Sequence, residues 1–223
     1  MNRKRDIAVI GASLGGTQAL CRIAASLPAS FPGAILVVLH TAADSPPLTV
    51  HIVSRHTPLR VTYGRNGDEI RSGCIYVAPA DHHLVVPSPG MLGLDRGPRV
   101  RYSRPAVDKL FESAAIVYGS RVVGVVLTGG GRDGTDGIRR IKEKGGLGIV
   151  QHPSEALNSQ MPMGALDGGH ADLCVSLDEV GPVLIELAKG TDVHATGLLS
   201  STDYRRTLDT NLCWSETRVA TDT

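Results

Sequence analysis

The scarcities of this sequence narrow it first. Aromatic residues make up only 4% of the 223 residues, with two phenylalanines and one tryptophan. A core of stacked rings is therefore excluded, and the interior has to be built from Val, Ile, Leu and Ala. Charge of one sign is missing too. The 23 Lys+Arg and 22 Asp+Glu leave a formal charge of +1, which gives no global pull towards nucleic acid or an acidic membrane surface. There is no long apolar run: AILVVL and VVGVVL are among the longest, far too short to cross a bilayer. The basic start MNRKR leads into an apolar stretch that stops at a glycine turn, which reads as a folded strand and not as a signal peptide. Cysteine is sparse. Cys21, Cys74, Cys174 and Cys213 lie far apart with no C-x-x-C pair, which argues against a zinc site and for reduced, buried thiols in a cytoplasmic chain.

What is present is glycine, 26 residues of it, within an ordinary 42% hydrophobic content. Short β-branched runs alternate with amphipathic segments. Strands are expected near Ile7–Gly11, Ala34–Leu39, Arg60–Tyr63, Cys74–Ala78, Arg121–Thr128, Gly148–Gln151 and Ala171–Val175. Helical spacing fits Gly16–Ser26, Leu48–His56, Pro105–Gly119, Gly134–Gly145 and Asp178–Lys189. Continuous apolar strands interleaved with helices imply an α/β domain with a mostly parallel sheet and helices on both faces. HHLVVPSPGMLGLD, His82–Asp95, differs: two short runs around Pro-Ser-Pro-Gly predict a small antiparallel hairpin. After Gly190 periodicity stops. Residues 191–223 read as a polar tail, disordered or docked by Leu198, Leu199 and Trp214, so one domain is expected over 1–190.

The chemistry gathers where strands end, since ligands of open parallel sheets sit beyond the carboxyl ends of the strands. Ser13 follows the first strand in IAVIGASLGG, His40 follows the second in AILVVLH, and Asp133 follows VVGVVLTGGGRDG. A hydroxyl, an imidazole and a carboxylate on one rim are the inventory of nucleophilic acyl transfer. The glycines on either side would let backbone N–H groups approach an oxyanion. Each residue also has a plainer reading: a serine in a glycine turn caps helices or holds phosphate, and an Asp in a glycine loop forms turns. Gly11-Ala-Ser13-Leu-Gly15 satisfies G-x-S-x-G, but the α/β-hydrolase order Ser, Asp, His is not met. A dinucleotide site fits poorly as well. Ser13 stands where G-x-G-x-x-G needs its second glycine, and His40 stands where a ribose-binding acid would be.

With these residues placed, the chain resembles the catalytic domain of the chemotaxis receptor methylesterases, the CheB-type protein-glutamate methylesterases. The likeness runs from about Ile7 to Ala188. It is carried by IGASLGGTQAL, VVLH, GDEIRSGCIYVAPADHHL, SRPAVDKLFESAA, GVVLTGGGRDGTDGI and QMPMGAL. The resemblance implies a doubly wound domain in which Ser13 is the nucleophile, His40 the base and Asp133 the orienting carboxylate. Backbone N–H groups of Gly130 and Leu14 would form the oxyanion hole, and Met161 and Met163 would line the cleft mouth. It implies hydrolysis of γ-glutamyl methyl esters on a helical chemotaxis receptor or similar methylated protein, with methanol released and glutamine deamidated in some members. No metal or organic cofactor is implied, nor nucleic acid as partner, nor integral membrane insertion.

Arg101 is a candidate for holding an acidic partner helix. Arg104 reads as structural, Asp136 as a helix cap, and His82 and His83 as marks of a hairpin or surface turn. Three departures stand out: Leu14 replaces the family's threonine, Leu39-His40-Thr41-Ala42 replaces Q-H-M-P, and Gly129-Gly130-Gly131 replaces G-M-G. Only six residues precede Ile7, so the receiver domain usual in the chemotaxis enzymes is not expected here. A non-catalytic binding or regulatory module on the same fold is the alternative reading.

Overall fold

The computed structural model describes residues 4–191 and 193; the tail residues Leu198, Leu199 and Trp214, together with Cys213, lie outside the described residues. Seven parallel strands form the main sheet in the order β3-β4-β2-β1-β7-β8-β9. These strands are β1 (Ile7–Ala12), β2 (Ala34–Leu39), β3 (Arg60–Tyr63), β4 (Cys74–Val77), β7 (Val122–Val126), β8 (Leu147–Gln151) and β9 (Leu173–Val175). A separate antiparallel pair, β5 (His83–Ser88) with β6 (Met91–Asp95), is the hairpin expected around Pro-Ser-Pro-Gly. The helices are α1 (Gly16–Ser26), α2 (Thr49–Ser54), α3 (Val107–Tyr118), α4 (Thr135–Glu143), α5 (Gln160–Asp167) and α6 (Leu177–Lys189). No described helix is long and apolar enough to cross a membrane.

The sheet is apolar on both sides because each strand splits its residues between two cores. Ala8, Ile10, Ala12, Ile35, Val37 and Leu39 pack with α1, α2 and α6. Their alternates Ile7, Val9, Ala34, Leu36 and Val38 pack with α3, α4, α5 and the hairpin. A strand buried on both faces has no polar alternation, which is why these segments read as continuous hydrophobic runs. Val, Ile, Leu and Ala fill the interior, with Phe111 and Phe31 as its only phenylalanines.

Helix α5 has no counterpart in the sequence reading. Pro162 and Gly164 interrupt its pattern, but Pro162 lies in the first turn, where a backbone N–H has no intrahelical partner to lose. The cysteine expectation is corrected in part. Cys74 is buried, whereas Cys21 and Cys174 are only half-buried.

Close approach between β1 and α3 depends on Gly11. A methyl group there would lie 2.3 Å from Cγ1 of Val107, the fully buried first residue of α3. Gly11→Ala is therefore expected to overpack this contact and destabilise the fold by about 1–3 kcal/mol. Urea denaturation checks this; an unchanged midpoint would mean that α3 yields freely.

Candidate active site

The chain leaves β1 at the point where the sheet changes direction. From β1 it runs outward through β2 towards the β3 edge, and the second half of the chain returns to the other side of β1 as β7, β8 and β9. A crevice at such a switch point is where open α/β sheets bind ligands. Ser13 and His40 are the residues immediately after β1 and β2, and the ladder continues into them: His40 N–H donates to Ala12 O at 3.0 Å, and Ser13 N–H donates to Thr128 O at 3.0 Å. By strand alternation both follow in phase with the residues that face α3, namely Val9 and Gly11 in β1 and Leu36 and Val38 in β2. The sequence thus places hydroxyl and imidazole on one side of the rim.

Asp133 arrives from the loop after β7 and is buried, only 3% exposed. Its Oδ2 lies 2.8 Å from His40 Nε2. The same oxygen accepts the N–H of Val107 at 2.7 Å, and Oδ1 accepts the N–H of Asp108 at 2.9 Å. Asp133 therefore caps the N-terminus of α3. Asp108, in the first turn of α3, returns the arrangement: its Oδ1 accepts N–H groups of Gly134 and Gly137 at 2.9 and 2.8 Å, at the N-terminus of α4. Each carboxylate sits where unpaired N–H groups and the helix dipole favour negative charge.

The carboxyls respond in opposite directions. Burial pushes Asp133 upward, but the hydrogen bonds from His40 and from the Asp108 and Val107 N–H groups outweigh it and hold the group below its ordinary value. Burial, with the neighbouring Asp133 charge, pushes Asp108 up to about 7. An ionised Asp133 can only accept, so the ring nitrogen facing it carries the hydrogen. His40 Nδ1 is then the nitrogen with a free lone pair. Among the described residues the Ser13 hydroxyl has no hydrogen-bond partner. Ser13 is half-buried, and its neighbour Leu14 is 58% exposed.

The glycine loop is fixed against Ser13. A Cβ at Gly129 would fall 2.2 Å from Met161 Sδ and 2.8 Å from Ser13 Cβ, so only glycine lets the loop lie this close. Gly129 N–H donates to Asn158 O, its carbonyl accepts Met161 N–H, and Gly131 N–H donates to Gln160 Oε1. Thr128 Oγ1 donates to Leu14 O at 2.9 Å and accepts Asn158 N–H at 3.0 Å. Among the described residues, the backbone N–H groups of Gly130 and Leu14 have no partner. One of these donors belongs to the residue after Ser13, and the other lies in the glycine loop that packs against Ser13 through Gly129.

Several other candidates sit differently. Met161 is fully buried beneath Gly129 and does not line the cleft mouth; Met163 is half-buried. The Arg101 guanidinium is occupied, donating to Asp108 Oδ2 at 3.2 Å and pairing with Asp136. Asp136 pairs with Arg101 and Arg139 and caps nothing, because Asp108 already takes the N–H groups of α4. His83 is no surface residue. It is fully buried, its Nδ1 accepts Ala106 N–H at 3.1 Å, and its Nε2 lies 3.1 Å from Pro98 O. Arg104 is structural, holding Asp81 and the carbonyls of Arg96 and Gly97. Sequence reasoning missed Asp108, Thr128, Asn158 and Gln160. The one available signal was an acid in the first turn of an expected helix, which marks hundreds of ordinary helices equally well. Among the described residues no group of three His, Cys, Asp or Glu side chains could hold a metal ion.

A strand-end serine beside a His–Asp pair, at the switch point of a doubly wound sheet, places this chain among α/β proteins with the side-chain inventory of a serine hydrolase. The chain belongs to the CheB methylesterase family, whose model matches residues 8–184. It is similar to the crystal structure of the Thermotoga maritima CheB methylesterase catalytic domain, with a TM-score of 0.77 and 34% identity, covering 83% of this chain and all of that one. It is 38% identical to a Mesorhizobium japonicum protein-glutamate methylesterase/protein-glutamine glutaminase and 36% identical to the Myxococcus xanthus protein-glutamate methylesterase FrzG. These matches cover 82% and 81% of this chain. The chain spans only about half of those two relatives, 54% of each, but 93% of a 37% identical Leptospira interrogans protein, a match that covers 80% of this chain.

The two carboxyls give stability opposite pH dependences. Asp133, held low, contributes in full above the ordinary value of 3.8 and loses its contribution as acid protonates it. Asp108, held high, keeps a proton in the folded state between 3.8 and about 7 that the unfolded chain has released. Its contribution is complete below 3.8 and declines as pH rises through about 7. Denaturation at a series of pH values across this window should show Asp108→Asn flattening the decline; parallel wild-type and mutant curves would contradict the assignment.

Proposed function

We propose that the chain is a serine esterase that hydrolyses γ-glutamyl methyl esters of a protein substrate, with Ser13 as nucleophile, His40 as base and Asp133 as its orienting carboxylate. The observation that carries this reading is the 2.8 Å contact of His40 Nε2 with the Asp133 carboxylate, one strand away from Ser13. In this reading His40 Nδ1 takes the Ser13 proton as Oγ attacks the ester carbonyl. The charge on the carbonyl oxygen is met by the N–H groups of Gly130 and Leu14. Collapse of the tetrahedral intermediate expels methanol with the proton from His40 and leaves a glutamyl ester on Ser13. Water, deprotonated by His40, attacks that ester, and the serine leaves with the proton. A glutamine amide would follow the same path with ammonia as leaving group, in keeping with the glutaminase part of the relatives' names. The substrate proposed is a methyl-accepting chemotaxis receptor or a similar helical methylated protein, reached in the cytoplasm.

The departures from the family pattern leave this chemistry its parts. Replacing threonine by Leu14 removes a hydroxyl, not the backbone donor. Replacing methionine by Gly130 likewise keeps the N–H, and a Cβ there would meet nothing closer than 3.5 Å.

In a methanol-release assay on a methylated receptor, Ser13→Ala is expected to abolish turnover while circular dichroism and melting stay native. His40→Gln is expected to cost about 10⁴-fold or more, since the members of such a relay act as a unit. Undiminished release from Ser13→Ala would exclude the serine mechanism, whereas no release from the wild type would favour a non-catalytic module on the same fold.

A further inference from the structure

The loop from Thr128 to Gly134 carries both groups on which the proposed reaction turns, the Gly130 N–H and the Asp133 carboxylate. Its first half is pinned by Thr128, Asn158 and Gln160. Its far end is held by the Asp133 carboxylate on the N–H groups of Val107 and Asp108 and, beyond it, by one further side chain. Asp108 Oδ1 takes the N–H groups of Gly134 and Gly137, and that carboxyl is 3% exposed, so water cannot replace it there. Asp108 is itself gripped from outside by Arg101, which reaches over it to Asp136. Arg101 is presented by a tight turn in which Val100 and Ser103 exchange backbone hydrogen bonds. Arg101 and Tyr102 are its central residues, with φ of 46° and 68°. Such turns ordinarily place Asn and Gly at these positions, because left-handed φ is unfavourable for other side chains. Here the strained conformation coincides with a guanidinium engaged by two carboxylates.

We propose that Asp108 and Arg101 are positioning residues for this reaction, Asp108 fixing the loop that bears Gly130 and Asp133, and Arg101 holding Asp108 in place. The inference rests on the esterase reading for its kinetic consequences but not for its geometry. It reassigns Arg101 from substrate contact to support, and the two roles differ in kinetics. A residue that binds substrate uniformly raises KM when removed, whereas one that aligns the reacting groups lowers kcat. It also separates Asp108 from a merely structural cap. Loosening Asp133 weakens its bond to His40 Nε2, so the ring hydrogen there loses the acceptor that fixes it. The elevated Asp108 carboxyl agrees with this placement, wedged between Asp133 and Asp136 with Arg101 as its cationic neighbour.

The test uses the whole chain with Asp108→Ala, Asp108→Asn and Arg101→Met, a synthetic peptide bearing γ-methyl glutamate, and nitrogen-15 NMR of the His40 ring at alkaline pH. Asp108→Ala is expected to lose about 100-fold in kcat, the cost of misplacing catalytic groups by about 1 Å, with KM unchanged. Asp108→Asn, which keeps a carbonyl acceptor for the two N–H groups, is expected to recover most of that loss. The protonated Nε2 signal of His40 should give way to an averaged two-tautomer pattern in the alanine variant and persist in the asparagine variant. Arg101→Met, on the surface and safe for folding, should lower kcat and leave KM alone. Equal behaviour of the alanine and asparagine variants, or an unchanged His40 Nε2 signal in both, would overturn the role of Asp108. A raised KM with unchanged kcat in Arg101→Met would return Arg101 to the substrate. If the wild type releases no methanol, the esterase reading fails, while the His40 Nε2 signal still decides the positioning role.

Discussion

Two helices in this fold cap one another. Asp133, just before α4, accepts the first N–H groups of α3, and Asp108, in the first turn of α3, accepts those of α4. The exchange satisfies four backbone donors that burial would otherwise leave without partners. It also brings two carboxylates into one buried space, where both cannot be ionised at low cost. That conflict resolves unequally: Asp133, with His40 as an added donor, is held in the charged form, and Asp108 is pushed towards the neutral one. A stable negative charge beneath His40 is thus a product of how α3 and α4 dock.

Everything at the rim follows from that placement. The sheet brings Ser13 and His40 to adjacent strand ends because β1 and β2 pair in register from Ile7↔Ala34 to Ala12↔Leu39. Asp133 then selects which imidazole nitrogen faces inward, and the other nitrogen is left for the serine side. The glycine loop can lie against Ser13 because Gly129 has no side chain, and Met161 fills the space beneath it. Electrostatic catalysis depends on such donors and charges being fixed before the reaction starts. Here they are fixed by helix termini, buried side chains and a loop clamped at both ends.

Much of this was legible in the sequence. Strands β1, β2 and β3 and helix α1 fall where periodicity puts them, since apolar runs between glycine turns have few alternative uses. Ser13, His40 and Asp133 were identifiable from their positions after strands. The supporting shell was not. Asp108 occupies an ordinary first-turn position, and nothing in VDKLFESAA says that its carboxylate serves the next helix and not its own. Arg101 and Asp136, both exposed enough to suggest partners elsewhere, pair with each other. His83 belongs to a hairpin segment whose polar doublet hid that one histidine is inside. Such long-range pairings depend on tertiary packing and leave no periodic trace. Helix α5 escaped for the opposite reason: local rules for Pro162 and Gly164 forbade what its first-turn position permits.

The central claim is that Asp133 fixes the His40 ring with hydrogen on Nε2, leaving Nδ1 as the base towards Ser13. Nitrogen-15 NMR of the histidine side chains measures this directly, with His40 assigned by its loss in His40→Gln. At alkaline pH the neutral His40 ring should give a protonated Nε2 signal and an unprotonated Nδ1 signal, the pattern of a single tautomer. Hydrogen on Nδ1, or the averaged pattern of two exchanging tautomers, would mean that Asp133 does not set the ring, and the account of this site would be wrong.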